Sequence, residues 1–208
     1  MDVNRYSKTR PYLYHLTDRS NLDHIRMTRM LSCAAELMRR AGCNELLRKR
    51  RQNHEPIEIN GSRVLLRDQK PLLRGHMELT GGFIFDDFVE ALNAKVFFWP
   101  GTDKGPILSG ENYFAHYASE RPAMLRCRFQ SLRSTNPPAI PLFCPYNSGA
   151  PRTVNGRKSP RGPDTFLPAG DFPRTPSGVV EVTFVGEVVL PPDTELRQGR
   201  KGPWQSLF

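Results

Sequence analysis

Prolines crowd into one segment of this chain and limit what that segment can fold into. Between residues 137 and 178 the sequence carries ten of its nineteen prolines. Each proline lacks a backbone N–H donor and restricts the residue before it to extended conformations. We therefore predict a mostly irregular segment, because neither a continuous helix nor a central strand tolerates such a density of prolines. Long irregular segments of this kind are usually functional loops or disordered regions.

The flanking parts of the chain predict short strands and helices in mixed order. Apolar runs bounded by turn residues indicate strands at 12–17, 95–99 (closed by Pro100 and Gly101), 123–132 and, as a strand pair, 178–191. The sequence "PIEINGSRVLLRD" predicts a hairpin with Asn-Gly at its turn. Helical spacing indicates helices that follow Ser20–Asn21 and that lie within 33–51, 83–94 and 110–120. This order predicts an α+β protein with mostly antiparallel sheets, in a single domain spanning residues 1–208.

The balance of charged residues favours a polyanionic partner. The chain has thirty lysines and arginines but only twenty-one aspartates and glutamates, which leaves a net charge of +9. Nucleic acid fits this charge best, followed by a membrane surface and an acidic protein. An inert basic surface would account for the charge as well.

The cysteines and the start of the chain indicate a cytoplasmic protein. The four cysteines lie far apart without CxxC pairing, which is typical of free thiols in a reducing compartment rather than of zinc ligands. The first ten residues lack an apolar signal region, and no apolar run is long enough to span a membrane. We therefore expect a cytoplasmic location and no membrane partner.

Three polar side chains stand in strand-like apolar runs. His15 and Thr17 end the first predicted strand, and Glu181 is flanked by valines in "GVVEVTFV". A carboxylate in the centre of a strand costs free energy unless it is exposed or paired. Two interpretations remain open: Glu181 lies on the wet face of an edge strand, or it is buried for a functional reason.

Several common functional sites are not supported by the sequence. It contains no GxGxxG after a strand and no GxxxxGK[ST], which argues against a Rossmann site and a P-loop. It also lacks GxSxG, and its five histidines show no HExxH. Asp86–Asp87 could bind a metal, but two acidic residues also suit the start of a helix. We predict no bound metal.

The order of these features resembles the ADP-ribosyltransferase fold of the His–aromatic–Glu type. A strand with His15-x-Thr17 precedes Asn21 and a helix, an aromatic strand "VFFW" and a helix with tyrosines follow, and Glu181 comes after the long irregular segment. The opening "YHLTDRSNLDHI" is similar to the start of the DarT-type toxins, which are ADP-ribosyltransferases that modify DNA. The resemblance implies two small, mostly antiparallel sheets around an NAD cleft, with flanking helices.

The resemblance also implies roles for individual residues. His15 would hydrogen-bond a ribose hydroxyl, the segment Leu16–Thr17 would hold the nicotinamide amide, and Asn21 would line the pocket. Glu181 would be the catalytic residue, since it would grip the 2′-hydroxyl and stabilise the oxocarbenium-like cation that develops as the glycosidic bond breaks. It could also take a proton from the acceptor. One aromatic ring would stack on the nicotinamide, from among Phe97, Phe98, Trp99, Tyr113 and Tyr117.

The residue two positions before Glu181 bears on the acceptor. In proteins of this fold, Glu at that position is typical of transfer to arginine, and Gln is typical of transfer to asparagine or cysteine. Here the residue is Val179. Together with the positive charge of the chain, this favours a nucleobase or phosphate acceptor.

Several aromatic and basic residues are candidates for binding such an acceptor. Phe166, Phe172 and Arg174 could stack on and clamp an extruded or single-stranded base, or they could simply pin the proline-rich segment to the surface. The basic stretches 48–51 and 63–74 could follow phosphates, or each could be a solvated face. The second stretch includes Arg63 and Arg67.

We therefore predict a mono-ADP-ribosyltransferase that uses NAD as co-substrate to modify DNA or RNA. It would act as a bacterial or phage-related toxin or antiviral effector, restrained by a separate antitoxin. A second hypothesis keeps the fold, but the enzyme modifies protein or only hydrolyses NAD. A third is a non-catalytic, basic nucleic-acid-binding module in which His15, Thr17 and Glu181 are structural. Both enzyme hypotheses require His15 and Glu181 to line one cleft.

Overall fold

A computed structural model describes residues 1–199 and 202–208. Within them the chain forms six helices: α1 (Val3–Thr9), α2 (Leu22–Thr28), α3 (Ala34–Arg40), α4 (Phe85–Asn93), α5 (Leu108–His116) and α6 (Phe129–Thr135). The strands are β1 (Tyr12–Asp18), β2 (Met30–Ser32), β3 (Glu55–Ile59), β4 (Ser62–Leu66), β5 (Met77–Leu79), β6 (Lys95–Thr102), β7 (Gly105–Pro106), β8 (Pro122–Arg128), β9 (Leu142–Cys144), β10 (Ser159–Arg161), β11 (Glu181–Val185), β12 (Glu187–Val189), β13 (Glu195–Gln198) and β14 (Gln205–Ser206).

The strands form one large sheet and three two-stranded sheets. The large sheet has the order β14-β13-β8-β1-β6-β11-β9, and β7 also pairs with β6. The small sheets are β2–β12, β3–β4 and β5–β10. Among the described residues only β5–β10 is parallel, so the predicted α+β class with mostly antiparallel strands is confirmed. No helix in that part of the chain is long and apolar enough to cross a membrane.

Strand β6 is shared by two groups of strands, and the sheet opens beside it. The second half of β6 pairs with β1 up to Tyr14–Trp99, and its first half pairs with β11 from Val182–Phe98 onward. On its other side, β1 pairs with β8 along its whole length, from Tyr12 to Asp18. Strand β1 therefore leaves β6 at His15. The sheet divides there into a first arm (β14, β13, β8 and β1) and a second arm (β11 and β9), which β6 joins.

Helices cover both faces of this sheet. Successive side chains of a strand point to opposite faces, and Leu13 and Tyr14 of β1 accordingly enter two different apolar clusters. The Leu13 cluster includes Tyr6 of α1 and Phe129 of α6. The Tyr14 cluster includes Phe114 of α5. Apolar clusters therefore lie on both faces of the sheet.

Strands β3 and β4 form the hairpin predicted from the sequence. Asn60 and Gly61 have φ values of 50° and 76°, the left-handed conformations that a two-residue hairpin turn requires. The apolar face of the hairpin, including Ile57 and Val64, packs on Met38 of α3. This hairpin forms a separate layer beside the large sheet.

Strand β6 extends further than the sequence predicted. Pro100 and Gly101 were expected to close the strand, but they pair with β1 opposite Leu13 and Tyr12. A side chain at position 101 would lie 2.2 Å from the carbonyl oxygen of Gly105. Glycine at this position therefore allows β7 to fold back closely on β6.

Two other predicted strands end differently. The strand predicted over 123–132 stops at Arg128, because Phe129 and Leu132 are spaced to bury one face of helix α6. The predicted strand pair in 178–191 forms β11 and β12, but these strands do not pair with each other. Strand β12 pairs with β2 instead, and Gly186, with φ of 75°, lies between the two strands.

Candidate active site

A cavity of about 250 Å³ lies where β1 leaves β6. On one side its wall combines the end of β1, strand β6, the start of β11, Tyr113 of α5 and the segment 147–149. On the other side it combines residues of α2, β2, α3, α4 and β4 and the segment after β4. This volume is slightly below the roughly 300 Å³ at which typical small-molecule sites begin, so it encloses only part of a dinucleotide. Of the residues that the sequence singled out, the following line the cavity: His15, Leu16, Thr17, Asn21, Arg67, Phe97, Trp99, Tyr113 and Glu181.

Glu181 is the first residue of β11, and only 4% of it is exposed. Strand β11 lies between β6 and β9, and Thr183, on the same face of the strand, is fully buried. The interpretation of an edge strand with Glu181 on its wet face is therefore wrong. The backbone N–H of Ser148 donates a hydrogen bond to Glu181 Oε2 at 3.1 Å.

The environment of Glu181 changes its ionisation. Burial raises the pKa of Glu181 to about 7, because desolvation disfavours the charged carboxylate. The hydrogen bond from the Ser148 N–H and the positive charge of Arg161 oppose this rise in pKa. The carboxyl can therefore gain or lose a proton near neutral pH, as a general acid or base must.

His15 follows the last residue of β1 that pairs with β6, and its ring lines the cavity. His15 Nδ1 lies 2.9 Å from the carbonyl oxygen of Phe97. A carbonyl oxygen only accepts hydrogen bonds, so Nδ1 carries the proton. Burial lowers the pKa of His15 to about 4, although the Phe97 bond favours the charged ring. The neutral ring therefore keeps Nε2 as an acceptor, which suits a ligand hydroxyl.

Asn21 connects the end of β1 to the hairpin. Its Nδ2 donates to Thr17 Oγ1 at 3.2 Å and to the Leu65 carbonyl at 3.0 Å, and its Oδ1 accepts from the Leu65 N–H at 2.8 Å. The sequence predicted that Asn21 binds the cofactor. The structure places it in the cavity wall with its amide occupied by the protein's own backbone, so its first role is to hold β4 against β1.

Replacing Asn21 by alanine is expected to lower the free energy of unfolding by about 2 kcal/mol, because the N–H and C=O of Leu65 lose their partners. Urea unfolding followed by tryptophan fluorescence measures the change. Asn112→Ala, at an exposed position on α5, is the matched control and should shift stability by less than about 0.5 kcal/mol. Equal effects at the two positions would contradict the structural role of Asn21.

Trp99 and Tyr113 form an aromatic part of the cavity wall. Their ring centroids lie 5.0 Å apart. Trp99 Nε1 is buried and has no hydrogen-bond partner within the described residues. Such a wall can stack against a flat ligand ring, and the free indole N–H can donate to it or to its substituents.

Two other predicted cofactor contacts lie behind the cavity wall. Phe98 points to the opposite face of β6 from its neighbours and packs edge-on against Phe184, with 5.9 Å between ring centroids. Tyr117 is buried, and its hydroxyl donates to Asp68 Oδ1 at 3.0 Å. Neither side chain lines the cavity, so both predictions of direct NAD contact are corrected.

Arg67 places a buried guanidinium in the cavity wall. Its guanidinium stacks on the Tyr117 ring, with 3.8 Å between Cζ and the ring centroid. All three of its nitrogens are buried and lack a hydrogen-bond partner in residues 1–199 and 202–208, and Glu120 Oε2 lies 3.9 Å from Nη2. A buried cation with free donors is costly unless something binds it. The arrangement suits an anionic group of a ligand.

The aromatic residues predicted to clamp an acceptor base are part of the core. Phe166 packs against Phe97, with 5.9 Å between centroids, and Lys95 Nζ lies 4.6 Å from the Phe166 centroid. Phe172 packs against Phe143, with 6.1 Å between centroids. Both rings are buried, so stacking on an extruded base is corrected, and the alternative, that they pin the proline-rich segment, fits the structure.

The predicted basic stretches are only partly free to bind phosphates. Arg63 and Arg174 are exposed, and neither lines the cavity. Within the stretch 48–51, Arg51 is buried and donates to the Arg67 carbonyl at 2.9 Å. Arg48 forms an ion pair with Asp87, whose Oδ2 also accepts from the Ile84 N–H at the start of α4. The helix-start interpretation of Asp86–Asp87 therefore fits the structure.

Sequence reasoning missed two residues of the proline-rich segment that reach Glu181. Ser148 lines the cavity and donates to the carboxylate. Arg161 on β10 donates from Nε to the Ser148 carbonyl at 3.1 Å. No periodic pattern surrounds either residue, and their proximity to Glu181 depends on how the irregular segment folds back over the sheet.

Comparison with known proteins gives a family for the chain. A family model described as a family of unknown function, DUF7002, matches residues 11–193. The chain belongs to the DUF7002 family. The matched region of this DUF7002 protein runs from before His15 to beyond Glu181, and so contains the cavity residues named above. No curated protein and no solved structure matches the chain.

Proposed function

We propose that this DUF7002 protein is an NAD-dependent ADP-ribosyltransferase of the His–aromatic–Glu type with a nucleic-acid acceptor. The observation that carries the proposal is that His15 and Glu181, far apart in sequence, line one cavity. The resemblance implies an NAD cleft between sheets, and the cavity lies between the two arms of this sheet. Had these two residues been on different surfaces, the enzyme hypotheses would have failed.

The groups around the cavity suit the parts of NAD. The acceptor nitrogen of His15 suits a ribose hydroxyl, and the Trp99–Tyr113 wall suits the flat nicotinamide ring. The guanidinium of Arg67 makes no hydrogen bond within the described residues and has only a long ion pair, at 3.9 Å, with Glu120. It suits the diphosphate, which forms short, charge-assisted hydrogen bonds with arginine. Of these features, the Arg67 guanidinium is not part of the motif on which the resemblance rests.

Glu181 can support cleavage of the bond between nicotinamide and ribose. The electron pair of that bond leaves with nicotinamide, and positive charge develops at the ribose carbon C1′. An ionised Glu181 held on a rigid strand stabilises this charge more than it stabilises the ground state. The acceptor then bonds to C1′, and its proton passes to Glu181 or to water.

Replacing Arg67 by glutamine is expected to weaken ADP-ribose binding at least about tenfold, since a hydrogen bond to a charged group contributes roughly 1.5–3 kcal/mol. Isothermal titration calorimetry with ADP-ribose measures the affinity. Arg63→Gln, on the same hairpin but exposed, is the control and should bind like the wild type. If Arg67→Gln binds ADP-ribose as tightly as the wild type does, Arg67 does not bind the diphosphate.

The acceptor is inferred from charge and from Val179. The net charge of +9 favours a polyanion, and Val179 is neither the Glu nor the Gln associated with protein acceptors in this fold. Acting on nucleic acid, such an enzyme would be a toxin or antiviral effector and would need an antitoxin to restrain it.

Incubation with NAD labelled in its adenylate part, together with DNA, RNA or lysate protein, tests the proposal. We expect labelled nucleic acid and release of nicotinamide. Label confined to protein would overturn the nucleic-acid acceptor, and nicotinamide release without any labelled acceptor would indicate a glycohydrolase. Salt-sensitive nucleic-acid binding with no NAD consumption would indicate the non-catalytic module instead.

A further inference from the structure

Arg161 is a buried arginine held almost entirely by backbone carbonyls. Only 1% of the residue is exposed. Its guanidinium donates to the carbonyl oxygens of Ser148 at 3.1 Å, Asn147 at 2.8 Å and Pro160 at 2.8 Å, and it lies 4.1 Å from the Tyr146 ring centroid. No carboxylate of the described residues comes within ion-pair distance of it. A buried cation without a directly paired anion is costly, which calls for an explanation beyond packing.

Arg161 reaches Glu181 through one intervening residue. Its Nε holds the Ser148 carbonyl, and the N–H of the same Ser148 donates to Glu181 Oε2 at 3.1 Å. Arg161 is itself fixed, because it pairs with Leu79 of β5 and its carbonyl oxygen accepts from the Thr80 N–H at 2.8 Å. Arg161 therefore holds the backbone around Ser148 through its carbonyl oxygens, while the Ser148 N–H remains free to donate to the carboxylate.

We propose that Arg161 is a positioning residue for Glu181: by holding the carbonyls of Asn147 and Ser148, it aims the Ser148 N–H at the carboxylate and favours its ionised form. The assignment rests on the proposed catalytic role of Glu181. It adds to that role an explanation of how the buried carboxyl ionises near neutral pH. Without the contacts of Arg161 and Ser148, burial would keep the carboxyl protonated to higher pH.

Ionisable groups from several neighbouring elements surround Glu181. Cys144 of β9 is its register partner, Tyr113 of α5 is close enough for its pKa to respond to the Glu181 charge, and Arg161 belongs to β10. Burial raises the pKa values of Cys144 and Tyr113, so both are neutral at physiological pH. Strand β11 itself carries no other ionisable side chain. His15 of β1 and the cation Arg67 line the same cavity as Glu181, and burial lowers the pKa of His15 to about 4, so its ring is neutral at physiological pH. Arg161 is the cation whose charge lowers the pKa of Glu181.

The test measures Glu181 directly and needs no NAD. In protein labelled with ¹³C-glutamate, the Glu181 carboxyl signal, assigned with Glu181→Gln, is followed from pH 4 to 9 by NMR. Arg161→Lys keeps the charge but cannot hold both carbonyls in the same geometry. We expect its Glu181 midpoint to rise by about one pH unit, a tenfold change in acid strength, and the Ser148 amide proton signal to shift. Arg161→Gln should raise the midpoint further.

A matched control separates this effect from general loss of an arginine. Arg126 of β8 is also largely buried, with 12% of its side chain exposed, and forms an ion pair at 2.7 Å with Glu195 of β13. Arg126→Gln should leave the Glu181 midpoint unchanged. A folded Arg161→Lys protein whose Glu181 midpoint and Ser148 amide signal are those of the wild type would overturn the proposal. If Arg161→Gln does not fold, the result for Arg161→Lys alone decides the role of Arg161.

The same variants distinguish failure of this proposal from failure of the proposed function. If transfer occurs, the acid limb of the pH–rate profile should move in Arg161→Lys by the same amount as the NMR midpoint. A rate that falls without movement of the acid limb would show a merely structural role for Arg161 and overturn its assignment. Because the NMR titration needs no co-substrate, it decides the role of Arg161 even where no transfer is detected.

Discussion

A Glu181→Gln variant is expected to turn over NAD about 100- to 1000-fold more slowly than the wild-type protein. Glutamine has nearly the same shape and still accepts the Ser148 N–H, but it offers no negative charge to a cation that develops at the ribose. Wild-type turnover should also rise as the pH passes through about 7, where Glu181 loses its proton. Nicotinamide release measured between pH 5.5 and 9 tests both expectations.

The control for this experiment is a glutamate that faces solvent. Glu58 is exposed on β3, and Glu58→Gln should keep the wild-type rate and pH profile. Retained ADP-ribose binding by Glu181→Gln would show that its cavity is intact. Near-wild-type turnover by an intact Glu181→Gln protein would falsify the catalytic role of Glu181, and loss of folding would favour the structural interpretation.

The same substitution is expected to stabilise the protein at alkaline pH. The folded-state pKa of Glu181, about 7, lies above the ordinary 4.5, so the native state binds this proton more tightly than the unfolded state does. The wild-type protein therefore loses stability as the pH rises from 4.5 through 7, by roughly 3 kcal/mol in total. Glutamine does not ionise, so the variant should escape this loss.

Urea unfolding of both proteins at pH 5 and pH 8.5 measures the effect. The stability difference in favour of Glu181→Gln should grow by roughly 2–3 kcal/mol between the two pH values. The depressed pKa of His15 makes stability rise with pH between about 4 and 6.5, but this contribution is common to both proteins and cancels in the difference. Glu58→Gln should show no such growth, and a pH-independent difference for Glu181→Gln would contradict the expected burial of its charge.

Parts of this fold that depend on local patterns could be predicted from the sequence. The hairpin followed from Asn60-Gly61 between alternating runs, because that turn sets its own register. Helix α4 followed from its apolar spacing and from two acidic residues in its first turn. Strand β1 was recognisable as well, with His15 and Thr17 placed near its end. Each of these signals is complete within a few neighbouring residues.

Features that depend on distant contacts could not be predicted. Arg161 and Ser148 belong to the proline-rich segment, and nothing in their neighbourhood indicates that they reach Glu181. Phe166 and Phe172 were candidates for base stacking, because a loop phenylalanine looks the same in sequence whether it faces solvent or core. The burial of Glu181 was equally undecided, since it depends on β9 and β6 enclosing β11 from both sides.

The sharing of β6 between the two arms makes the site sensitive to chain length. Phe98 pairs with β11 and the next residue, Trp99, pairs with β1, so a single peptide bond relates the arm carrying Glu181 to the arm carrying His15. One residue inserted at this bond would exchange the faces of the following half-strand, and Trp99 would turn from the cavity into the core. The number of residues in β6 therefore sets how the Glu181 arm and the His15 arm face each other across the cavity.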